Sequence, residues 1–258
     1  MLDDTSECNK MTNKLHDDLK GALSIEGDIY APYRNLPPDR GYPDTHLDAT
    51  CIKAVFDSIN PSFWLEVGSM VGGSAVKVCK FIKENGLNTQ IVCVDPFCGS
   101  VDMWLWEGLH KRLGRWLYLN LDGAFPTVRE RFMTNICDEG CDDLILPIQA
   151  TSMVGMGVIK SLFETKSIGT LPQAIYLDSA HIEKETYMEL ETAWGILSPG
   201  GVLFGDDWNW ESVRNDVIKF SKTIRTNEST KQKFLSVLPG CTMHGNVVLA
   251  GIHWFLLK

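Results

Sequence analysis

The chain has 258 residues, of which 44% are hydrophobic and 22% are charged, and this composition is typical of a globular protein. The formal net charge of −9 disfavours binding to a nucleic-acid backbone. No apolar run approaches the roughly 20 residues of a membrane-spanning helix, and the polar, acidic first twenty residues are unlike a signal peptide. We therefore expect a cytoplasmic protein with reduced cysteines and with neither a nucleic-acid nor a membrane partner.

The N-terminal 50 residues are expected to form an extension or cap, ahead of a domain that spans residues 51–258. The stretch from Tyr30 to Asp44 carries four prolines, which favour an ordered loop over a helix. Apolar residues then recur at helical spacing from Asp48 to Ile59, and Asn60-Pro61 predicts the end of this helix.

Short apolar runs predict five buried strands, at Phe63–Val67, Ile91–Phe97, Leu144–Ala150, Ala174–Asp178 and Val202–Asp207. Helical patterns lie between some of them, over Ser74–Ile82 and Lys184–Leu197. Strands that alternate with helices predict a parallel sheet covered on both faces. The runs FLSVL and NVVLAGIHWFLL, with a turn at Pro239-Gly240, are expected to be an antiparallel pair at one edge. The predicted fold class is α/β, a Rossmann-like, doubly wound, mostly parallel sheet.

The chain between Asp95 and Leu144 is longer than one crossover helix requires. We expect a helical insertion near residues 98–135, which contains Trp104, Trp106 and Trp116. These tryptophans either pack in the core or at a homo-oligomer interface, or they form a wall over a substrate pocket. A basic cluster in the insertion is interpreted as a solvated helix face, although next to the site it would favour an anionic acceptor; it consists of Lys111, Arg112 and Arg115.

A glycine-rich turn follows the first predicted strand, at the sheet edge where ligands bind in open α/β folds. It runs from Gly68 to Ser74 and leads into a helix, whose N-terminal N–H groups suit a carboxylate or a phosphate. Met70 stands where the dinucleotide fingerprint has its second glycine, and no P-loop lysine follows. These departures weaken the nicotinamide interpretation. An ordinary structural turn is the alternative.

Polar residues also follow the second and third predicted strands. Asp95 lies 27 residues beyond Gly68, where an acid accepts hydrogen bonds from a ribose diol, although it also suits a helix N-cap. Thr151 and Ser152 are small polar residues that suit an adenine edge, or an ordinary loop.

An acidic cluster is predicted where the fourth and fifth strands end. Asp178 and His181 follow the fourth strand, and Asp206 and Asp207 follow the fifth. Crowded carboxylates repel one another unless a cation or protons neutralise them. Oxygen ligands suit Mg²⁺, Mn²⁺ or Ca²⁺ rather than zinc, and Mg²⁺ is favoured. In the alternatives, the aspartates only cap the next helix and the histidine bonds locally.

The motifs LEVGSMVGGS, VDPF, IQATS, YLDSAH and LSPGGVLFGDD occur in this order over about residues 60–210. Together they resemble the class I S-adenosylmethionine-dependent methyltransferases. The Asp-x-x-His and Asp-Asp pairs are most similar to the metal-dependent O-methyltransferases of the macrocin and catechol types. The resemblance implies S-adenosyl-L-methionine as cofactor and a divalent metal, for which the oxygen ligands favour Mg²⁺. It also implies methylation of a small-molecule hydroxyl, on a diol, a catechol or a sugar-like acceptor.

The resemblance also implies roles for individual residues toward the cofactor. Its methionine end would be held by four residues of the first turn: Glu66, Gly68, Gly72 and Ser74. Asp95 would bind the ribose hydroxyls. Thr151 and Ser152 would lie near the adenine.

The resemblance makes Asp178, Asp206 and Asp207 the metal ligands, with Asp178 also contacting the cofactor, and His181 the base. A metal-independent O- or N-methyltransferase is an alternative, in which the carboxylates bind a cationic or hydroxylated acceptor. A cofactor-binding pseudoenzyme that acts through a partner is another, and a nicotinamide-dependent oxidoreductase is a third. The N-terminal segment and the insertion have no counterpart in the resemblance, and we expect them to define the acceptor.

Overall fold

A computed structural model describes residues 14–38, 45–105, 119–179 and 181–258. Trp106, Trp116 and the basic cluster of the predicted insertion lie outside the described residues, as do residues 39–44 of the proline-rich stretch. No helix in the described ranges is both long and apolar enough to cross a membrane.

Strands and helices alternate along most of the described chain. The strands are β1 Phe63–Val67, β2 Gln90–Asp95, β3 Leu121–Asp122, β4 Phe125–Pro126, β5 Ile145–Gln149, β6 Ala174–Leu177, β7 Val202–Gly205, β8 Thr242–His244, β9 Val247–Ala250 and β10 His253–Leu257. The helices are α1 Lys14–Ala22, α2 Ala49–Ile59, α3 Gly73–Glu84, α4 Val101–Leu105, α5 Val128–Asp138, α6 Ser152–Glu164, α7 Glu185–Ile196, α8 Glu211–Ser221 and α9 Glu228–Val237.

One large sheet has the strand order β5-β2-β1-β6-β7-β10-β9-β8. The first five strands pair in parallel, and the last three pair antiparallel at the edge. The chain winds outward from β1 in one direction and then returns to β6 on its other side. This reversal creates a crevice at the carboxyl ends of β1 and β6, where ligands bind in such folds. The predicted α/β fold with an antiparallel edge is confirmed.

Two hydrophobic layers cover the sheet, one on each face. Helices α2, α3, α5 and α9 contribute to one layer, and α1, α6, α7 and α8 contribute to the other. Side chains alternate between the layers along β1, because Trp64 lies in the first and Phe63 and Leu65 lie in the second. Burial on both faces explains why the parallel strands read as continuous apolar runs.

The prediction of a strand at FLSVL is wrong, because this run forms the end of α9. The Asn227 side chain caps α9 by accepting hydrogen bonds from the N–H groups of Ser229 and Thr230, each at 3.1 Å. Phe234 is buried against Phe255 of β10, with ring centroids 4.8 Å apart. An apolar run of only five residues fits both the period of a strand and the period of a helix. The Asn227 N-cap and the contact between Phe234 and Phe255 favour the helix.

The last apolar run forms two strands rather than one. NVVLAGIHWFLL turns at Gly251, which has a φ of 60°, so that β9 and β10 pair with each other. With β8 beside β9, the antiparallel edge has three strands in place of the predicted pair.

A helix that the sequence analysis did not predict, α1, packs its residues Leu15 and Leu19 into the core. The Gln90 side-chain oxygen accepts hydrogen bonds from the N–H groups of Leu15, at 2.8 Å, and His16, at 3.2 Å. Gln90 therefore caps α1 from the start of β2.

Candidate active site

A cavity of about 630 Å³ opens at the carboxyl ends of the parallel strands, within the size range of small-molecule sites. Most of the predicted site residues line it: Gly68, Ser74, Asp95, Thr151, Ser152, Asp178, His181, Asp206 and Asp207. Glu66 and Gly72 do not line it. The sheet topology thus brings residues from five strand ends to one cavity.

The turn after β1 depends on Gly68, which has a φ of 86°. A Cβ atom there would lie 2.1 Å from the backbone oxygen of Asp178, so glycine lets β1 and β6 approach closely. Gly72, with a φ of 90°, is the N-cap of α3 and provides no capping side chain. The N–H groups of the first turn of α3 are therefore left for a ligand, and they favour an anionic group.

Glu66 lies behind the cavity wall and supports it. Its Oε1 accepts a hydrogen bond from the Ser74 hydroxyl at 2.8 Å. Burial of the side chain raises the pKa of Glu66 to about 7. The contact between Glu66 and the cofactor stays a prediction. In the structure, Glu66 instead holds the hydroxyl of Ser74, which lines the cavity.

Asp95 holds the glycine-rich turn through its carboxylate. Its Oδ2 accepts hydrogen bonds from the N–H groups of Ser69, at 2.8 Å, and Met70, at 2.7 Å, and its Oδ1 accepts one from the Phe97 N–H. Burial raises the pKa of Asp95, against these backbone hydrogen bonds. The carboxylate thus orders the turn and lines the cavity, and its hydrogen bonds to a ribose stay a prediction.

The loop after β5 adds polar groups on the other side of the cavity. Thr151 is the N-cap of α6, and its hydroxyl accepts a hydrogen bond from the Val154 N–H at 3.4 Å. Glu189 of α7, which the sequence analysis missed, accepts a hydrogen bond from the Ser179 hydroxyl at 2.8 Å. Burial raises the pKa of Glu189.

Asp178, His181 and Asp207 form a compact cluster, in which one ligand atom from each lies within 4.8 Å of the others. His181 Nε2 lies 2.7 Å from Asp207 Oδ2. Asp207 has a φ of 56°, and non-glycine residues in this strained region often occur at functional sites. Burial and the carboxylates of Asp206 and Asp207 raise the pKa of Asp178 well above its usual range.

Asp206 lines the same cavity from a more buried position, with a relative exposure of 3%. Its Oδ1 is buried and has no hydrogen-bond partner within the described part of the chain. Burial and, after it, the charge of Asp207 raise the pKa of Asp206 to about 6. The structure therefore groups the predicted histidine with two of the three predicted aspartates and places the third aspartate beside them.

Helix α8 anchors the loop that carries His181. The Trp210 ring lies against the His181 ring at a centroid distance of 4.7 Å, and the Ser212 hydroxyl donates to the His181 backbone oxygen. Asp216 Oδ2 accepts hydrogen bonds from the N–H groups of Lys184, at 2.8 Å, and Tyr187, at 3.2 Å. The sequence analysis missed these residues, although the run WNWES after a strand end is a signal that could have located them.

Comparisons with known proteins agree with this architecture. The model of a methyltransferase domain family matches residues 65–208. A search of curated proteins finds no match to the sequence.

Among solved structures, calicheamicin methyltransferase CalS11 is 17% identical, with coverage of 99% of this chain and 94% of that chain and a TM-score of 0.50. The O-methyltransferase from Bacillus cereus in complex with SAH is 12% identical, with coverage of 96% and 91% and a TM-score of 0.44. The O-methyltransferase TomG from Streptomyces achromogenes in complex with SAM is 12% identical, with coverage of 96% and 99% and a TM-score of 0.43.

At these sequence identities, similarity to a solved structure indicates the fold alone. The similarity to CalS11 agrees with the doubly wound sheet. The family match spans more than half of the chain and includes both the glycine-rich turn and the Asp-His cluster. The chain therefore belongs to this methyltransferase domain family, and it is an S-adenosylmethionine-dependent methyltransferase.

Proposed function

We propose that this methyltransferase is a divalent-metal-dependent O-methyltransferase, which methylates a hydroxyl group on a diol, catechol or sugar-like small molecule. The observation that carries the proposal is the cluster of Asp178, His181 and Asp207, with ligand atoms within 4.8 Å of one another. This cluster lines the same cavity as the glycine-rich turn after β1. Binding in one cavity would bring the cofactor and the acceptor close together, which methyl transfer requires.

The cofactor would lie between the turn after β1 and the loop after β5. The N-terminus of α3 suits the carboxylate of its methionine end. Asp95 would take the ribose, and Thr151 and Ser152 would border the adenine. The carboxylates that line the cavity also suit the positive sulfonium group.

The described residues fit a divalent cation. Asp206 Oδ1 is buried without a hydrogen-bond partner in the described part of the chain. Burial, followed by repulsion from neighbouring carboxylates, raises the pKa of Asp178 and of Asp206; the neighbours are Asp206 and Asp207 for Asp178, and Asp207 for Asp206. A bound cation would relieve this repulsion, and oxygen-rich ligand sets suit Mg²⁺. Asp178, Asp206 and Asp207 would hold it. When bound, it would act as a Lewis acid that lowers the pKa of the acceptor hydroxyl.

His181 would remove the hydroxyl proton. The carboxylate of Asp207, at 2.7 Å, orients the imidazole and stabilises the imidazolium that forms. S-adenosylmethionine would supply the methyl group: the acceptor oxygen would bond to the methyl carbon as the carbon–sulfur bond breaks, and S-adenosylhomocysteine, a neutral thioether, would leave. A base of this kind contributes about 10²–10⁴-fold to the rate.

One observation favours a second candidate, methyl transfer without metal. The His181–Asp207 pair is already hydrogen bonded, and such a pair can act as a base by itself. The other carboxylates would then bind a cationic or hydroxylated acceptor.

The test is a turnover assay with S-adenosylmethionine and a panel of diols and catechols, in Mg²⁺ and in a chelator. We expect the chelator to abolish turnover and Mg²⁺ to restore it. His181→Ala should lower kcat by about 10²-fold or more and leave cofactor affinity within a few-fold, because the histidine acts on the acceptor. Asp57→Asn, an exposed change on α2, is the matched control. Full turnover in chelator would favour methyl transfer without metal. Full turnover of His181→Ala would show that His181 is not the base.

A further inference from the structure

Glu189 is a buried carboxylic acid at the cavity that has no part in the proposed mechanism. It lies on α7, is 6% exposed and lines the cavity. Taking a carboxylate out of water costs free energy unless hydrogen bonds replace the water. A buried acid at a cavity is therefore a candidate for a functional role, and its hydrogen-bond partners indicate what that role is.

One partner of Glu189 lies in the loop that carries the Asp-His cluster. Glu189 Oε2 accepts a hydrogen bond from the Ser179 hydroxyl at 2.8 Å. Ser179 directly follows Asp178 and lies two positions before His181. The Ser179 backbone also lies against the glycine-rich turn, because a Cβ atom on Gly68 would be 2.7 Å from the Ser179 Cα. Ser179 is therefore held both by α7 and by the turn after β1.

The other partner of Glu189 lies on the cofactor side of the cavity, at the start of α6. Burial raises the pKa of Glu189, and hydrogen bonds from the hydroxyls of Ser152 and Ser179 oppose this shift. Helices α6 and α7 pack together, and the Thr192 hydroxyl of α7 donates to the Met153 sulfur of α6 at 3.5 Å. One carboxylate thus joins the loop after β5 to the loop after β6.

We propose that Glu189 is a positioning residue that holds the two halves of the active site at a fixed separation. Through Ser152 it holds the loop that borders the adenine, and through Ser179 it holds the loop that carries His181. Displacement of a reacting group by about 1 Å can lower a rate by about 10²-fold, so a shared anchor for both loops affects methyl transfer directly. This inference rests on the proposed function, which assigns Ser152 to the cofactor and His181 to the acceptor.

Substitutions of Glu189 separate its reach from its charge. Glu189→Gln keeps the length of the side chain and an oxygen that accepts from Ser179, so kcat and the Kd for S-adenosylhomocysteine should stay within about threefold of wild type. Glu189→Asp keeps the charge but withdraws the carboxylate by about 1.5 Å, too far to reach both hydroxyls. We expect Glu189→Asp and Glu189→Ala to lower kcat by about 10- to 100-fold and to raise this Kd severalfold. Glu191→Ala, an exposed change on the same helix, is the matched control and should alter neither constant.

Two serine variants test the two contacts separately, with kcat from turnover and Kd from calorimetry. Ser179→Ala should lower kcat by about tenfold and leave the Kd for S-adenosylhomocysteine unchanged. Ser152→Ala should raise this Kd and leave kcat at saturating cofactor nearly unchanged. In a Glu189→Ala background, Ser179→Ala should lower kcat by less than about twofold further, because the hydrogen bond is already lost. A role in stability alone would not produce this division, since every variant is assayed at a temperature where its melting curve shows it folded.

Wild-type kcat and cofactor affinity in Glu189→Asp would overturn the inference. A greater loss in Glu189→Gln than in Glu189→Asp would also overturn it, because the charge rather than the reach would then matter. Additive effects of Ser179→Ala and Glu189→Ala on kcat would refute the shared contact. If Glu189→Ala does not fold, the comparison of the Gln and Asp variants still decides.

Failure of the proposed function has a different signature. In that case the wild-type protein transfers no methyl group to any diol or catechol. The binding measurements would still test Glu189, because the effects of Ser152→Ala and Glu189→Ala on the Kd for S-adenosylhomocysteine should not be additive. Additive effects there would refute the anchor itself.

Discussion

Asp216, on helix α8, holds the loop that carries the candidate base His181, although it lies about 30 residues away in sequence. Lys184, at the N-cap of α7, has a φ of 76° and makes no side-chain capping hydrogen bond. The carboxylate of Asp216 on α8 takes this role, because it accepts hydrogen bonds from the N–H groups of Lys184 and Tyr187. It is buried, so water does not easily replace it. We predict that Asp216→Ala destabilises the fold and slows methyl transfer together.

The magnitude follows from these two contacts. A hydrogen bond to a charged group contributes about 1.5–3 kcal/mol, and loss of an N-cap costs about 0.5–2 kcal/mol. We expect Asp216→Ala to lower the free energy of unfolding by about 2–4 kcal/mol, since the two estimates describe overlapping contacts. At about 2–4 °C for each kcal/mol, the melting temperature should fall by roughly 4–16 °C. Displacement of the His181 loop should lower kcat by about 10- to 100-fold.

Urea unfolding and turnover of the same preparations measure both effects. Asp216→Asn keeps an oxygen acceptor and loses the charge, so about 1 kcal/mol of destabilisation is expected. Asp57→Ala, which removes an exposed ion pair with Lys53, should change stability by no more than about 0.5 kcal/mol. The reasoning would be refuted if Asp216→Ala matched this control in stability, or if it kept full turnover at a temperature where it is folded.

Two further predictions concern His16 and Gly68. Burial lowers the pKa of His16 to about 4, below its unfolded value of 6.5, so its stabilisation is present above pH 6.5 and is lost as the pH falls toward 4. Between pH 7 and pH 5, the wild-type protein should lose about 2 kcal/mol more stability in urea unfolding than His16→Gln, and equal losses would contradict this. Gly68→Ala should cost about 3 kcal/mol or more, because its Cβ would meet the Asp178 backbone. Gly86 is the control, because it has a φ of 60° and open space around an added Cβ, so Gly86→Ala should cost only about 1 kcal/mol. Equal melting temperatures of Gly68→Ala and Gly86→Ala would contradict the predicted clash with the Asp178 backbone.

Local patterns were sufficient for the parallel half of the fold. Apart from Glu66, the runs that became β1 and β6 carry mostly apolar side chains, because both faces of these strands are buried, and Gly68 or Asp178 follows each strand. The same reasoning failed at Phe234, because a run of five residues fits a strand and a short helix equally well. Only the Asn227 cap and the packing of Phe234 on Phe255 distinguish the two.

The candidate site divides in the same way. Consecutive strands joined by one helix are commonly neighbours in a parallel sheet, so Asp178 and Asp207, which follow consecutive predicted strands, could be expected close together. The pairing of His181 with Asp207, rather than an even set of three aspartates, depends on the φ of Asp207 and on the path of the loop. These are geometric details that residue types do not carry.

The sequence by itself determined the class of fold, the glycine-rich turn and the residue types at the strand ends, because each depends on local periodicity or on the residues that directly follow an apolar run. Only the tertiary structure decided that Trp210 lies on His181 and that Asp216 caps α7. The donor and acceptor of the Asp216–Lys184 contact are 32 residues apart. Such contacts depend on how the helices pack against the sheet and against each other. No short sequence pattern determines the relative position of two helices.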